Sequence, residues 1–441
     1  MKTMTEGRPL KLILTFALPL LLGNLFQQTY NIVDAAIVGR YLGADALASV
    51  GASSSVQFLV LGFCTGACCG FGIPVAQSFG ANDHKRMRDY IFHALVITAI
   101  LAVTVTTACA ILCARILHML STPENIFDGA YAYLLILFLG IPFTLLYNLL
   151  SAILRAVGDS RTPFLFLTLS TVLNVALDLV AIIVLDMGCA GAALATILAQ
   201  AISGLLCAGY ILKHFPLLWL HRSNCRLRLD AVKTMVIMGL PMGLQSSITA
   251  IGSMVMQTAN NRLGSVYVSG FTAGMRIKQF AMCPFDALST AVSTFAGQNL
   301  GARKAARIRQ GLRQGILVGI GYGILAGLML IFLGRTLSMI FIDPSETGVL
   351  DASARYLRSM GYFYWVCGIL SVTRMTTQGL GYSGLAVFSG AVEMVARVIV
   401  SLTFVPKFGY SAICFTDQTA WVSASLYIAP VCLWCVRRIT Q

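Results

Sequence analysis

The sequence predicts an all-α polytopic membrane protein, with twelve transmembrane helices in two pseudo-symmetric six-helix lobes. Three observations carry this: the composition, the length of the apolar runs, and an internal repeat. Hydrophobic residues make up 57% of the 441 residues and charged residues 11%, against roughly 25% charged in a typical soluble domain. So few charges would not cover the surface of a soluble chain of this length.

A helix needs about 20 mostly apolar residues to cross a bilayer at 1.5 Å rise per residue. Runs that meet this lie at 12–39, 46–78, 90–114, 130–154, 162–186, 190–213, 232–262, 266–298, 311–334, 350–378, 384–405 and 411–436. The first run follows Lys2, Arg8 and Lys11. It is far longer than the apolar core of a signal peptide, about 7–15 residues, and reads as a retained span.

The net charge of +14 does not point to nucleic acid, because the basic residues fall in short gaps between apolar runs rather than on one folded face. One set of gaps holds 20 of them: Lys2, Arg8, Lys11; Lys85, Arg86, Arg88; Arg155, Arg161; Lys213, Arg222, Arg226, Arg228, Lys233; Arg303, Lys304, Arg307, Arg309, Arg313; Arg437 and Arg438. The alternate set holds 7: Arg40, Arg115, Arg262, Arg335, Arg355, Arg358 and Lys407. By the positive-inside rule, this bias and an even span count place both termini in the cytoplasm.

The basic loop at 214–231 divides the chain into an N-terminal lobe, 1–213, and a C-terminal lobe, 232–441. The lobes share landmarks. Gln77-Ser78-Phe79-Gly80-Ala81 answers Gln298-Asn299-Leu300-Gly301-Ala302 at an offset of 221, which Gly43 and Gly264, and Ala52 and Ala273, also keep. Gly158-Asp159-Ser160 answers Gly381-Tyr382-Ser383 at 223. Six spans per half insert the same way up. Such repeats form secondary transporters with alternating access.

Ionisable residues inside spans face a cavity or a partner. In the first span, Gln27, Tyr30, Asn31 and Asp34 share one helix face by their i, i+3, i+4, i+7 spacing, and Pro19 precedes them as a kink point. The fifth span carries Asn174 and Asp178 four apart, and the sixth carries Thr196. Span directions bring Asp34, Asn174, Asp178 and Thr196 to a similar depth in one lobe. Two carboxylates, an amide and a hydroxyl there suit either a small cation such as Na+ held by oxygen ligands, or a proton shared between desolvated acids. In the other lobe Arg276, Lys278, Asp286, Arg374, Glu393 and Arg397 lie within spans. Glu393 and Arg397 read as an i, i+4 ion pair, and Arg276 and Lys278 either attract anionic groups or neutralise Asp286 and Glu393.

The cysteines sit mostly in apolar runs. Cys64, Cys68 and Cys69 lack the flanking His or acid that a zinc site needs and read as packing residues. No nucleophile elbow or phosphate-binding loop occurs, so an enzyme and an ATP-driven pump are both disfavoured. No cofactor is expected beyond a coupling ion, H+ or Na+.

These residues give the chain a resemblance to the multidrug and toxic compound extrusion (MATE) family, over about residues 8 to 438. It rests on Pro19 with Val33-Asp34 and Val38-Gly39, Gln77 to Gly80, Arg155-Ala156-Val157-Gly158-Asp159, Asn174-Val175-Ala176-Leu177-Asp178, Gly191-Ala192-Ala193-Leu194-Ala195-Thr196, and Gln298-Asn299-Leu300-Gly301-Ala302. Residues 235–262 and 357–378 contain no Asp or Glu, which resembles the DinF-like and MepA-like bacterial branches more than the sodium-coupled NorM type.

The resemblance implies two six-helix lobes flanking a central cavity, in the inner membrane of a bacterium. It implies export of small-molecule drugs or organic cations, cationic or amphipathic, in exchange for H+ or Na+, by a monomer. It puts the ion site at Asp34, Asn174, Asp178 and Thr196 and a hinge at Pro19. Gln27, Tyr30 and Asn31 would line the substrate cavity, together with Arg276, Lys278, Glu393 and Arg397. The alternative is a flippase or exporter of a lipid-linked or anionic amphipathic metabolite, for which Arg276, Lys278, Arg374 and Arg397 would supply the positive charge.

Overall fold

The computed structural model describes residues 3–119, 122–221 and 226–440. Lys2, Arg222 and the rest of 222–225 in the expected 214–231 loop lie outside the described residues. The helices are α1 (Pro9–Leu42), α2 (Ala44–Gly80), α3 (His84–Met119), α4 (Glu124–Leu139), α5 (Ile141–Ala156), α6 (Arg161–Leu179), α7 (Gly188–His214), α8 (Leu229–Asn261), α9 (Ser265–Gly301), α10 (Ala305–Ser338), α11 (Thr347–Gly379), α12 (Ser383–Ile399), the short α13 (Val405–Phe408) and α14 (Tyr410–Thr440). Each of the twelve expected spans falls on a helix or helix pair.

The fourth expected span, 130–154, is broken. α4 and α5 meet at a 46° bend at Gly140. A Cβ at Gly140 would lie 2.3 Å from Cγ1 of Ile197 on α7, so only glycine lets the bend close onto that helix. Among the described residues, nine helical segments and this bent pair are long and apolar enough to cross a membrane. α9 and α11 complete the twelve by length, 37 and 33 residues, but carry more polar side chains. Both pack against several neighbours within their lobe, where those groups find partners instead of lipid.

The repeat is written into the backbone as well as the sequence. Gly43 and Gly264, each with φ near the left-handed region (88° and 106°), turn α1 into α2 and α8 into α9. Such φ values cost an L-residue about 1–2 kcal/mol. Asn82 and Arg303, both at φ 56°, end α2 and α9. π-helical turns at Val180–Val184 and Val400–Phe404 follow α6 and α12, 220 residues apart.

The chain forms two compact units. Unit 1 comprises Met1–Thr3 and Leu22–Gly243, and unit 2 comprises Met4–Leu21 and Leu244–Gln441. The chain passes from one unit to the other inside α1, just after Pro19, and inside α8, just after Pro241. A proline removes one ladder hydrogen bond and loosens the helix there. Unit 1 has its core between α2, α3, α4 and α5, around Phe71, Met87, Phe138 and Leu149. In unit 2 the first half of α1 packs Ile13, Phe16 and Ala17 against Ala291, Val292 and Phe295.

Met4 and Thr5 are also held in unit 2. The Met4 N–H donates to Gln298 Oε1 at 2.8 Å, and the Met4 carbonyl accepts from Asn299 Nδ2 at 3.1 Å and Arg307 Nη2 at 3.2 Å. Lys304 Nζ donates to the Thr5 carbonyl at 3.0 Å. The Gln298-Asn299 pair, a landmark of the repeat, therefore caps a backbone segment that no helix satisfies.

Candidate functional site

In unit 1, α1, α6 and α7 bring together five of the residues singled out by sequence. Asn174 and Asp178 are spaced one turn apart on α6 and both are buried. The Asn174 amide is satisfied when its nitrogen faces Asp178 Oδ2 at 2.5 Å and its oxygen accepts from Thr196 Oγ1 at 3.0 Å and Tyr30 OH at 3.0 Å. Tyr30 OH and Thr196 Oγ1 are 3.4 Å apart. The Asp34 and Asp178 carboxyls are close neighbours, each within electrostatic reach of the other. Two carboxyls so placed can share a proton.

One oxygen of each acid, Asp34 Oδ1 and Asp178 Oδ1, is buried without a hydrogen-bond partner, and among the described residues no cation balances the pair. Tyr133 of α4, which sequence reasoning did not single out, lies within electrostatic reach of both carboxyls. The structure draws Tyr30 into this cluster and leaves Gln27 and Asn31 exposed on the same helix. Among the described residues there is no group of three or more His, Cys, Asp or Glu that would hold a metal ion.

Unit 2 solves the problem of buried charge differently. Asp417 of α14 accepts from Lys278 Nζ at 2.6 Å, Tyr356 OH at 2.7 Å and Arg397 Nε at 3.1 Å. Arg397 Nη2 also reaches Glu393 Oε1 at 2.9 Å, and Glu393 Oε2 accepts from Arg374 Nη2 at 2.6 Å. Arg374 Nε in turn donates to Ser389 Oγ at 2.8 Å. Three cations and two carboxylates thus join α9, α11, α12 and α14.

The expected Glu393–Arg397 pair is present, but as the centre of a larger network. Lys278 neutralises Asp417, not Asp286 or Glu393. Lys278, Glu393 and Arg397, expected to line the substrate cavity, are drawn inside unit 2, with side chains 12%, 4% and 4% exposed. Among the described residues Arg276 makes no ion pair. Sequence reasoning missed Asp417, although it is the one acid in the run 411–436 and could have been found by listing every acid in every span.

Known proteins share both the sequence pattern and the fold. The sequence profile of the MatE family matches residues 19–180 and 241–403, one stretch in each half of the repeat. The chain is 37% identical to the probable multidrug resistance protein YpnP of Bacillus subtilis, over 83% of this chain and 81% of that protein. It is 28% identical to the DNA damage-inducible protein F of Escherichia coli, over 65% of this chain and 63% of that one. Among solved structures it resembles a multidrug resistance MATE family transporter in an outward-facing conformation, with a TM-score of 0.92, 22% identity and coverage of 100% of this chain and 99% of that one.

Proposed function

Because the chain belongs to the MatE family of multidrug efflux transporters, we propose that it is a secondary antiporter, exporting cationic or amphipathic small molecules in exchange for H+ or Na+. The close Asp34–Asp178 pair carries this reading. It is a group of two acids without a compensating cation, and such a group must exchange a proton or a metal ion to stay neutral in a low-dielectric interior.

Two features favour the proton. Two carboxyls this close in a low-dielectric setting lose their mutual repulsion most simply by sharing one. The Asn174 amide finds partners for both its oxygen and its nitrogen when the nitrogen faces Asp178, whereas a Na+ ligand set would need the amide oxygen there and both acids ionised. Loss of the shared proton would set two carboxylates against each other across α1 and α6, and α1 would yield first, at Pro19. Thr196 and Tyr30 would hold Asn174 in register for the exchange.

The charge bias of the loops supports a bacterial inner-membrane location with both termini cytoplasmic. A monomer suffices, since one chain carries both units. The other reading, an exporter or flippase of anionic amphipathic metabolites, needs free positive charge in unit 2. Lys278, Arg374 and Arg397 are held there by Asp417 and Glu393, so that reading loses most of its support.

The test is dye efflux from proteoliposomes with one ion gradient imposed at a time. An inward proton gradient alone should drive export, and Asp34→Asn should abolish it. Efflux from Asp34→Asn equal to that of the parent removes the coupling role from this pair.

A further inference from the structure

The exposed face of α9 is unlike that of any lipid-facing helix in unit 2. Beyond its first turn, where Val266 and Tyr267 are exposed, the exposed residues of α9 up to 300 are Ser269, Thr272, Gln279 and Asp286, and all four are polar. Their spacing of 3, 7 and 7 residues puts them on one stripe. α10 shows the opposite pattern, with Leu317, Ile324, Leu325, Leu328, Phe332 and Leu333 exposed, as lipid contact demands. The α9 stripe therefore faces water or a ligand rather than acyl chains.

Asp286 is the singular residue on that stripe. Its chain neighbours Phe285, Ala287 and Leu288 are 0%, 2% and 5% exposed, so the carboxylate alone projects from a close-packed turn. It makes no ion pair among the described residues. Three cations inside the spans of unit 2 are occupied elsewhere: Lys278 and Arg397 on Asp417, and Arg374 on Glu393. Arg276 on the same helix is ten residues away, roughly 15 Å along the axis at 1.5 Å rise, beyond ion-pair reach. A charged residue inside a span without a partner is costly unless it serves a ligand.

The repeat supplies a control within the molecule. At the offset of 221 the corresponding positions on α2 are Ala48, Gly51, Phe58 and Thr65, and Phe58 is 65% exposed. The same face is neutral in unit 1 and anionic in unit 2, so the charge is not a requirement of the fold.

We infer that Asp286 is a substrate-binding residue: its carboxylate receives the positive group of a transported organic cation on the open face of α9, with Gln279 and Thr272 as polar neighbours. This rests on the reading of the protein as an exporter of cationic molecules, and it separates substrate recognition in unit 2 from ion exchange at Asp34 and Asp178 in unit 1. A single carboxylate suits a bulky, weakly hydrated organic cation. A small inorganic cation takes several oxygen ligands, which this face does not gather.

The experiment is equilibrium binding to the purified full chain in neutral detergent, at fixed pH and salt and without any ion gradient. The probes are tetraphenylphosphonium and its anionic isostere tetraphenylborate. Asp286→Asn should weaken tetraphenylphosphonium about tenfold, the scale of one partly desolvated charge contact, and leave tetraphenylborate unchanged or tighter. Asp286→Glu should stay within about threefold of the parent. Asp286→Ser replaces Asp286→Asn if the latter does not fold. Unchanged cation affinity in the neutral variant overturns the assignment while leaving the exporter reading intact. A parent that binds the cation no better than the anion overturns both.

Discussion

Asp417→Asn tests the charge network of unit 2 directly. The substitution keeps the shape of the side chain and removes one negative charge. Asp417 is fully buried and accepts from Lys278, Tyr356 and Arg397 at 2.6, 2.7 and 3.1 Å. The parent network holds three cations against two carboxylates; the variant holds three against one. Breaking a buried pair by removing one partner costs about 3–5 kcal/mol, because the orphaned cation stays buried. Unit 2 comprises roughly 220 residues. At about 2.1 cal/mol/K of unfolding entropy per residue, that cost lowers the midpoint of a unit of this size by about 6–11 °C. The assay is thermal unfolding of the purified protein in detergent, followed by tryptophan fluorescence. Trp421 is a suitable reporter, since its ring lies 5.4 Å from Lys278 Nζ. The double variant Asp417→Asn/Lys278→Met restores the parent's net charge in the network, so it should recover part of the loss, with a coupling energy of about 0.5–3 kcal/mol. A single variant that melts within about 1 °C of the parent would falsify the argument, and so would a double variant whose loss is the plain sum of the two singles.

Further substitutions probe local packing within each unit. Gly70→Ala would put a Cβ 2.6 Å from the Gly239 Cα and the Met238 carbonyl, so it should destabilise the protein by about 1–3 kcal/mol. Gly51→Ala on the same helix meets nothing within 4 Å and should melt like the parent; equal behaviour of the two contradicts the close approach of α2 and α8. Asn299→Ala removes a fully buried side chain that bonds the Met4 carbonyl and Arg307 Nε, at a cost of about 1–3 kcal/mol. Hydrogen exchange of residues 4–8 should speed up in that variant; unchanged protection would mean that Gln298, Lys304 and Arg307 hold the segment without it.

Much of the fold was legible in the sequence because a bilayer imposes a simple rule. Apolar runs of the right length, alternating with basic gaps, mark helices with little ambiguity, and every one of the twelve runs falls on a helix or a helix pair. The bend at Gly140 was not legible, since it depends on Ile197, which is distant in sequence and fills the space a side chain would need. The unit 1 cluster was legible because i, i+4 spacing and span direction together fix both depth and face. The unit 2 network was not. Its partners come from α9, α11, α12 and α14, and no local spacing says that Lys278 meets Asp417 rather than Asp286. The division of α1 and α8 at Leu21/Leu22 and Gly243/Leu244 was hidden for the same reason. Pro19 and Pro241 mark where a helix can yield, but not which body each half joins.

The repeat makes the electrostatic difference between the units informative. Both follow one six-span plan, with the same turns at Gly43 and Gly264 and the same π-helical turns after α6 and α12. In unit 1 the helix before the π turn carries Asn174 and Asp178, and Asp178 lies beside Asp34 with no ion pair to either acid among the described residues. In unit 2 the helix at that place carries Glu393 and Arg397, and the acids bond to guanidinium and ammonium groups. A carboxylate that shares Arg397 and Lys278 has no reason to take up a proton or a metal ion, because its charge is already balanced. A pair such as Asp34 and Asp178 has no other way to balance. Under the proposed antiport, ion exchange belongs to the Asp34–Asp178 pair rather than to Glu393 and Asp417, whose charge Lys278, Arg374 and Arg397 already balance. The corollary concerns Thr196, the nearest position in that cluster where a cation could be supplied. Thr196→Lys should place an ammonium beside Asn174 and Asp178 and abolish gradient-driven efflux, with the protein still folded. Efflux at the parent rate in that variant would mean that the acids exchange their ion despite a fixed counter-charge, and the electrostatic argument for unit 1 would fail.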